Sequence, residues 1–275
     1  MSYASRLAAA VADRGRLCVG IDPMPSVLDA WRLPHDVQGL ERCSRAIVEL
    51  LGDRIAVFKP QSAFFEAYGS RGIAVLEQVL TDIREAGALS LLDVKRGDIG
   101  SSMAGYADAY LGEDAPVRAD AITLSPYLGV GSLRPAIDAA VAGGQGVYVL
   151  ARTSNPDGAG IQLAATDRGS VAQLVVEEAR ELNVRSENAI GLVVGATHAE
   201  AGCRLDDFNG SILVPGIGAQ GGTVEGLTSI FGAAIGRVLP TASREVIGHG
   251  PLEVRNRAQI LTAEVHKLPL SDPNY

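Results

Sequence analysis

Eight short runs of Val, Ile, Leu and Ala recur along the chain, each followed by a stretch whose apolar residues return every three or four positions. This alternation restricts the possible folds more than any other feature. The runs cover 17–21, 55–58, 88–94, 121–124, 146–150, 190–194, 211–215 and 237–239. The intervening segments 36–51, 71–86, 101–111, 131–142, 167–182, 198–206, 223–235 and 251–266 are expected to be helices, the sixth and seventh having the weakest period. Strands that alternate with helices imply βαβ units and a parallel sheet. Eight such units in about 230 residues fit a closed (β/α)8 TIM barrel better than an open, doubly wound sheet.

No linker, low-complexity tract or repeat divides the 275 residues, so one domain is expected over 1–275. Its parts would be a short N-terminal helix at about 3–14, the barrel at about 16–266 and a tail at 267–275. With 47% apolar residues the chain can fill such a core. The net charge of −8 disfavours a sequence-independent hold on nucleic acid or on an anionic membrane, both of which need a field of Lys and Arg. No run reaches the length of a membrane helix, and the N-terminal apolar stretch is too short for a signal peptide. The cysteines, Cys18, Cys43 and Cys203, form no CxxC pair and leave an odd thiol, as expected of a reducing, cytoplasmic setting.

Charged and polar residues gather where the expected strands end: Asp22, Lys59, Asp93, Lys95, Ser125 and Arg244. In a barrel these ends share one rim, the face where active sites sit. Within DVKRGDIG, Asp93 and Lys95 stand two apart on an extended segment, which puts both side chains on one face, and Lys59 on the neighbouring strand could reach the same carboxylate. Spacing alone is equally compatible with an ion-pair network that only ties strand ends together. After the seventh run comes PGIGAQGG, whose glycines allow backbone N–H groups to approach an anion, and after the eighth comes Arg244, whose guanidinium forks onto phosphate oxygens. Barrel loops seven and eight commonly hold phosphate. No histidine falls at a strand-end position of the charge cluster, and no HExxH spacing occurs, so neither a metal nor a cofactor is expected.

Taken in order, LCVGIDP, FKPQ, LLDVKRGDIGSS, LARTSNP, VPGIGAQGG and SREVIG resemble the orotidine 5′-phosphate decarboxylase family in its longer bacterial form, over about 16–250. The resemblance implies loss of CO2 from orotidine 5′-phosphate to give UMP, without a cofactor. It implies a catalytic set of Lys59, Asp93, Lys95 and Asp98, with Lys95 as the ammonium beside C6 and Asp93 facing the substrate carboxylate. Asp22 and Lys59 would hold the ribose hydroxyls. Ser154, with Thr153 as its neighbouring alternative, would read the pyrimidine edge. Gln220 would bridge base and phosphate, and Arg244, Gly216 and Gly218 would line the phosphate site. Asp98, with Ser102 near it, would reach across a homodimer interface into the partner's site. Two other classes share parts of this pattern: a metal-dependent sugar-phosphate decarboxylase or aldolase, and a catalytically silent nucleotide-binding protein. Lys59 stands where a metal would need a carboxylate, and the intact Asp93, Lys95 and Asp98 speak against silence.

Overall fold

The computed structural model describes residues 1–269; of the expected tail, 270–275 lies outside the described residues. Eight parallel strands close into a barrel: β1 Cys18–Ile21, β2 Val57–Pro60, β3 Leu89–Arg96, β4 Ala121–Leu124, β5 Gly146–Arg152, β6 Ile190–Val194, β7 Ile212–Pro215 and β8 Val238–Ala242. Each strand pairs with its sequence neighbours, and β8 closes on β1 through Cys18 opposite Thr241 and Val19 opposite Ala242. All eight expected strands are present. The last runs three residues beyond its expected end, because Pro240 is accommodated opposite Val214.

Helices Val37–Leu51, Gly69–Glu85, Gly100–Tyr110, Arg134–Ala142, Val171–Asn183, Gly226–Phe231 and Val254–Val265 pack around the barrel. Their starts follow local chemistry. Asp36 accepts the Gly39 N–H at 2.9 Å, and Ser170 the Gln173 N–H at 3.1 Å, each satisfying a donor that the first turn leaves free. The helix expected over 198–206 does not form; that segment is a series of turns. Gly202 sits at φ +72, outside helical space, while Ala201, Leu205 and Phe208 bury themselves without a helix to carry them. The long connection after β5 folds into two short helical turns and a hairpin, Ala165–Thr166 with Gly169–Ser170.

Apolar side chains form two layers. The larger lies between strands and helices. The smaller fills the barrel bore with Cys18, Val57, Leu91, Tyr148, Leu213 and Leu239, and takes in Tyr3 and Leu7 from the N-terminal helix Tyr3–Arg14. That helix closes the bottom of the barrel. The Tyr3 and Tyr148 rings meet edge to face with centroids 6.1 Å apart, their hydroxyls lie 3.1 Å from each other, and Tyr148 reaches the Ser211 hydroxyl at 2.6 Å. Gly146 must be a glycine for this plug to seat, since a Cβ there would lie 2.5 Å from the Tyr3 ring.

Candidate active site

The opposite, C-terminal rim carries the charge cluster. The Asp93 carboxylate accepts from Lys59 Nζ at 3.2 Å on one oxygen, and from Lys95 Nζ and the Thr123 hydroxyl, each at 2.8 Å, on the other. Lys59 and Asp93 are nearly buried, whereas Lys95 opens to the barrel mouth. Burial alone would raise the Asp93 pKa, but Lys59 and then Lys95 outweigh it and bring the carboxyl down to about 2. Burial likewise works against the Lys59 ammonium, and Asp93 and Asp22 reverse that effect, leaving its pKa above the usual lysine value. At neutral pH the rim therefore holds a fixed row of alternating charges.

Asp93 and Lys95 do meet, though not across a regular strand. β3 loses register with β4 between Leu92 and Arg96, and Lys95 adopts φ +48. A lysine has no intrinsic preference for left-handed backbone, so the surroundings must hold it there. The Lys95 N–H donates to Thr123 Oγ1 at 2.9 Å, and the Ser125 N–H takes the Arg96 carbonyl at 2.7 Å. Thr123 is thus a central member of the site that the sequence reading did not single out. The available signal was one hydroxyl in the otherwise apolar run AITL.

The polar atoms buried at this rim without a hydrogen-bond partner include the acceptors Asp22 Oδ1 and Gln61 Oε1. Buried acceptors are normally satisfied, so both are candidates for a ligand's donors. Gln61 follows β2 and bridges to Asp93 by backbone pairing; it stood in FKPQ without an assigned role. Asp98 stands apart from the Lys59–Asp93–Lys95 row. Its carboxylate accepts the Ile99 N–H at 2.8 Å, just ahead of helix Gly100–Tyr110, where Ser102 is exposed on the first turn.

After β5, the Thr153 hydroxyl is engaged by Asn155 at 2.6 Å and by Gln162 at 2.8 Å. No such bond occupies the Ser154 hydroxyl among the described residues. After β7, Gly216, Gly218 and Gly221 all have positive φ, as their turn requires. The Gly218 N–H is engaged by the Gly222 carbonyl at 2.8 Å, so Gly218 shapes the loop and does not present a free donor. A Cβ at Gly218 would also collide with Glu245, the residue after Arg244. Loop seven and the Arg244 turn are therefore packed together. Arg244 is exposed at the start of the short helix Arg244–Ile247, and among the described residues its guanidinium makes no ion pair; Gln220 is exposed on the facing loop. Among the described residues no three His, Cys, Asp or Glu side chains converge as a metal-ligand set, and no helix is long and apolar enough to cross a membrane.

A model of the orotidine 5′-phosphate decarboxylase / HUMPS family matches residues 15–258. An orotidine 5′-phosphate decarboxylase from Salinispora tropica is 55% identical over 253 residues, covering 91% of this chain and 91% of its own length. One from Streptomyces coelicolor is 51% identical over 255 residues, with 90% and 91% covered. The crystal structure of a protein assigned as orotidine 5′-phosphate decarboxylase from Streptomyces avermitilis superposes with a TM-score of 0.89 at 48% identity, over 96% of this chain and 95% of that one.

Proposed function

The chain belongs to the orotidine 5′-phosphate decarboxylase / HUMPS family, and from that premise we propose how its rim performs the reaction. The protein is a carboxy-lyase that converts orotidine 5′-phosphate to UMP and CO2. When the C6–carboxyl bond breaks, its electron pair stays on C6 in an orbital lying in the ring plane, where the π system cannot delocalise it. Stabilisation is therefore electrostatic. The Lys95 ammonium, fixed before the reaction starts, offsets the charge as it develops and then transfers a proton to C6. Asp93, ionised at neutral pH, faces the substrate carboxylate and disfavours it relative to the carbanion.

The observation that carries this assignment is the Lys59–Asp93–Lys95 row, with one ammonium buried and the other open to the barrel mouth. Asp22, with its unpartnered oxygen, and Lys59 bind the ribose hydroxyls. Ser154 reads the pyrimidine edge, a role supported by its free hydroxyl beside an engaged Thr153. Gln220 and Arg244 take base and phosphate, with Gly216 and Gly218 shaping the loop between them. Phosphate binding, remote from C6, supplies binding energy realised at the reacting carbon. The test is a spectrophotometric assay with orotidine 5′-phosphate, run with and without chelator. Folded protein without turnover overturns the assignment.

The active form is a homodimer in which Asp98, with Ser102 beside it, completes the partner's site. Two features support this: Asp98 makes no ion pair within its own chain among the described residues, and Ile99, Tyr106, Tyr127 and Leu128 expose apolar surface on the adjoining segments. Lys95→Ala and Asp98→Ala should each be inactive alone and recover on mixing, because a heterodimer places both lesions in one site and leaves the other whole. Random pairing at equal ratio restores about a quarter of the sites. Absence of recovery at every ratio would place Asp98 in its own chain's chemistry.

A further inference from the structure

Lys95 carries the strained backbone of the site, and the residue after it is tied down more heavily than a surface arginine requires. The Arg96 guanidinium turns back across Lys95. One nitrogen donates to the Val94 carbonyl at 3.3 Å, and another donates to Glu66 Oε1 at 2.6 Å and the Tyr110 hydroxyl at 3.3 Å. The cation also lies 5.7 Å from the centre of the Tyr106 ring. The Val94 carbonyl and the Arg96 side chain therefore bridge the left-handed residue from both sides. Glu66 is itself oriented by the Ser62 hydroxyl at 2.6 Å, within the short helix Ser62–Glu66 that follows the Lys59 strand. Ser62 first, and Arg96 with it, hold the Glu66 carboxyl below the usual range, so the pair stays charged at neutral pH.

We propose that the Ser62–Glu66–Arg96 chain is a positioning device: it holds Lys95 in its left-handed turn, so that the ammonium stands at the reacting carbon before substrate arrives. The proposal rests on the role given to Lys95 above. None of the three residues needs to touch substrate. Without the clamp, residue 95 relaxes toward ordinary φ and its side chain swings from the row, even though the Thr123 contact remains. A displacement of about 1 Å at a reacting group costs up to about a hundredfold in rate.

The test has two arms. In the first, Arg96→Met should lower kcat about tenfold to a hundredfold, with KM within about threefold of wild type, because substrate binding is made elsewhere. Glu66→Ala should act in the same direction. The double variant should be no worse than Arg96→Met alone, as for residues that work as one unit. Retention of kcat, a matching rise in KM, or multiplicative losses overturns the proposal. The second arm needs no activity. At a left-handed position glycine is favoured over alanine, so Lys95→Gly should melt about 2–4 °C above Lys95→Ala. In an Arg96→Met background that gap should close, and a gap that persists overturns the clamp. Failure of the decarboxylase assignment appears separately, as wild-type protein without turnover while the melting arm still reads out.

Discussion

The two ends of the barrel use the same eight strands under opposite constraints. At the bottom, the N-terminal helix plugs the bore, Tyr3, Tyr148 and Ser211 complete one another's hydrogen bonds, and Asp120 is taken up by Ser90 and Arg6. At the top, a cation and a carboxylate are nearly buried, a lysine is held in left-handed backbone, and Asp22 and Gln61 each keep a buried oxygen without a partner. Within the plug the buried polar groups satisfy one another; the top leaves such groups open at the positions that would face a ligand. The plug can therefore be weakened without touching the chemistry, and Lys95, open at the barrel mouth, can be removed without a comparable loss of stability.

The largest effect is expected at the top. Lys95→Ala removes both the charge that stabilises the carbanion and its proton donor, and should lower kcat more than about a thousandfold, on the order of 4 kcal/mol of barrier, while the melting temperature stays near wild type. Retention of a tenth of kcat would exclude that role, and a collapse in stability would break the separation. The mirror experiment is Tyr3→Ala. Removing this buried ring should cost about 3 kcal/mol or more in urea unfolding. The Tyr148 hydroxyl keeps Ser211, so no new orphan adds to the cost. Activity of the folded fraction at 25 °C should hold within about twofold; a fall in kcat of the folded enzyme would mean that the ends are coupled.

A smaller effect distinguishes the ends by pH. The Asp93 carboxyl lies at about 2 in the folded protein against a usual 3.8. Its folded pKa is depressed, so its contribution to stability is present above about pH 4 and lost as pH falls through 2, a change of about 2 kcal/mol. The Tyr148 phenol at the bottom does not titrate in this window, since burial pushes it up to about 12. Asp93→Asn should therefore flatten the decline in unfolding free energy between pH 5 and pH 2 by about that amount. An unchanged decline would remove Asp93 from the charge row.

The barrel was legible in the sequence because each strand is a short β-branched run bounded by turn residues, a pattern that local chemistry alone enforces. The 198–206 segment misled for the same reason: its Ala and Leu spacing reads as helical, while Gly202 at φ +72 answers to packing that no local pattern records. At the site, Lys59, Asp93 and Lys95 announced themselves by falling at strand ends. The left-handed turn at Lys95 did not, since nothing in a lysine marks it for positive φ. The Arg96–Glu66 contact joins residues thirty apart in the chain, and Thr123 hides as one hydroxyl among apolar neighbours. What stayed illegible were the backbone angles and side-chain contacts that packing between distant segments decides.

The bottom plug also bears on the order of assembly. Tyr3 leaves the ribosome well before its partner Tyr148, which is 145 residues downstream, and Ser211, which completes the trio, is 63 further on. The helix Tyr3–Arg14 therefore waits without a docking site while the strands up to β7 are made, its apolar face uncovered, and seats only when β5 and β7 have joined the sheet. Made ahead of the barrel strands, this helix is seated after them. In refolding followed by pulsed hydrogen exchange, its amides should gain protection after those of β2 and β3; protection gained together with theirs would show that the plug forms on a partial barrel.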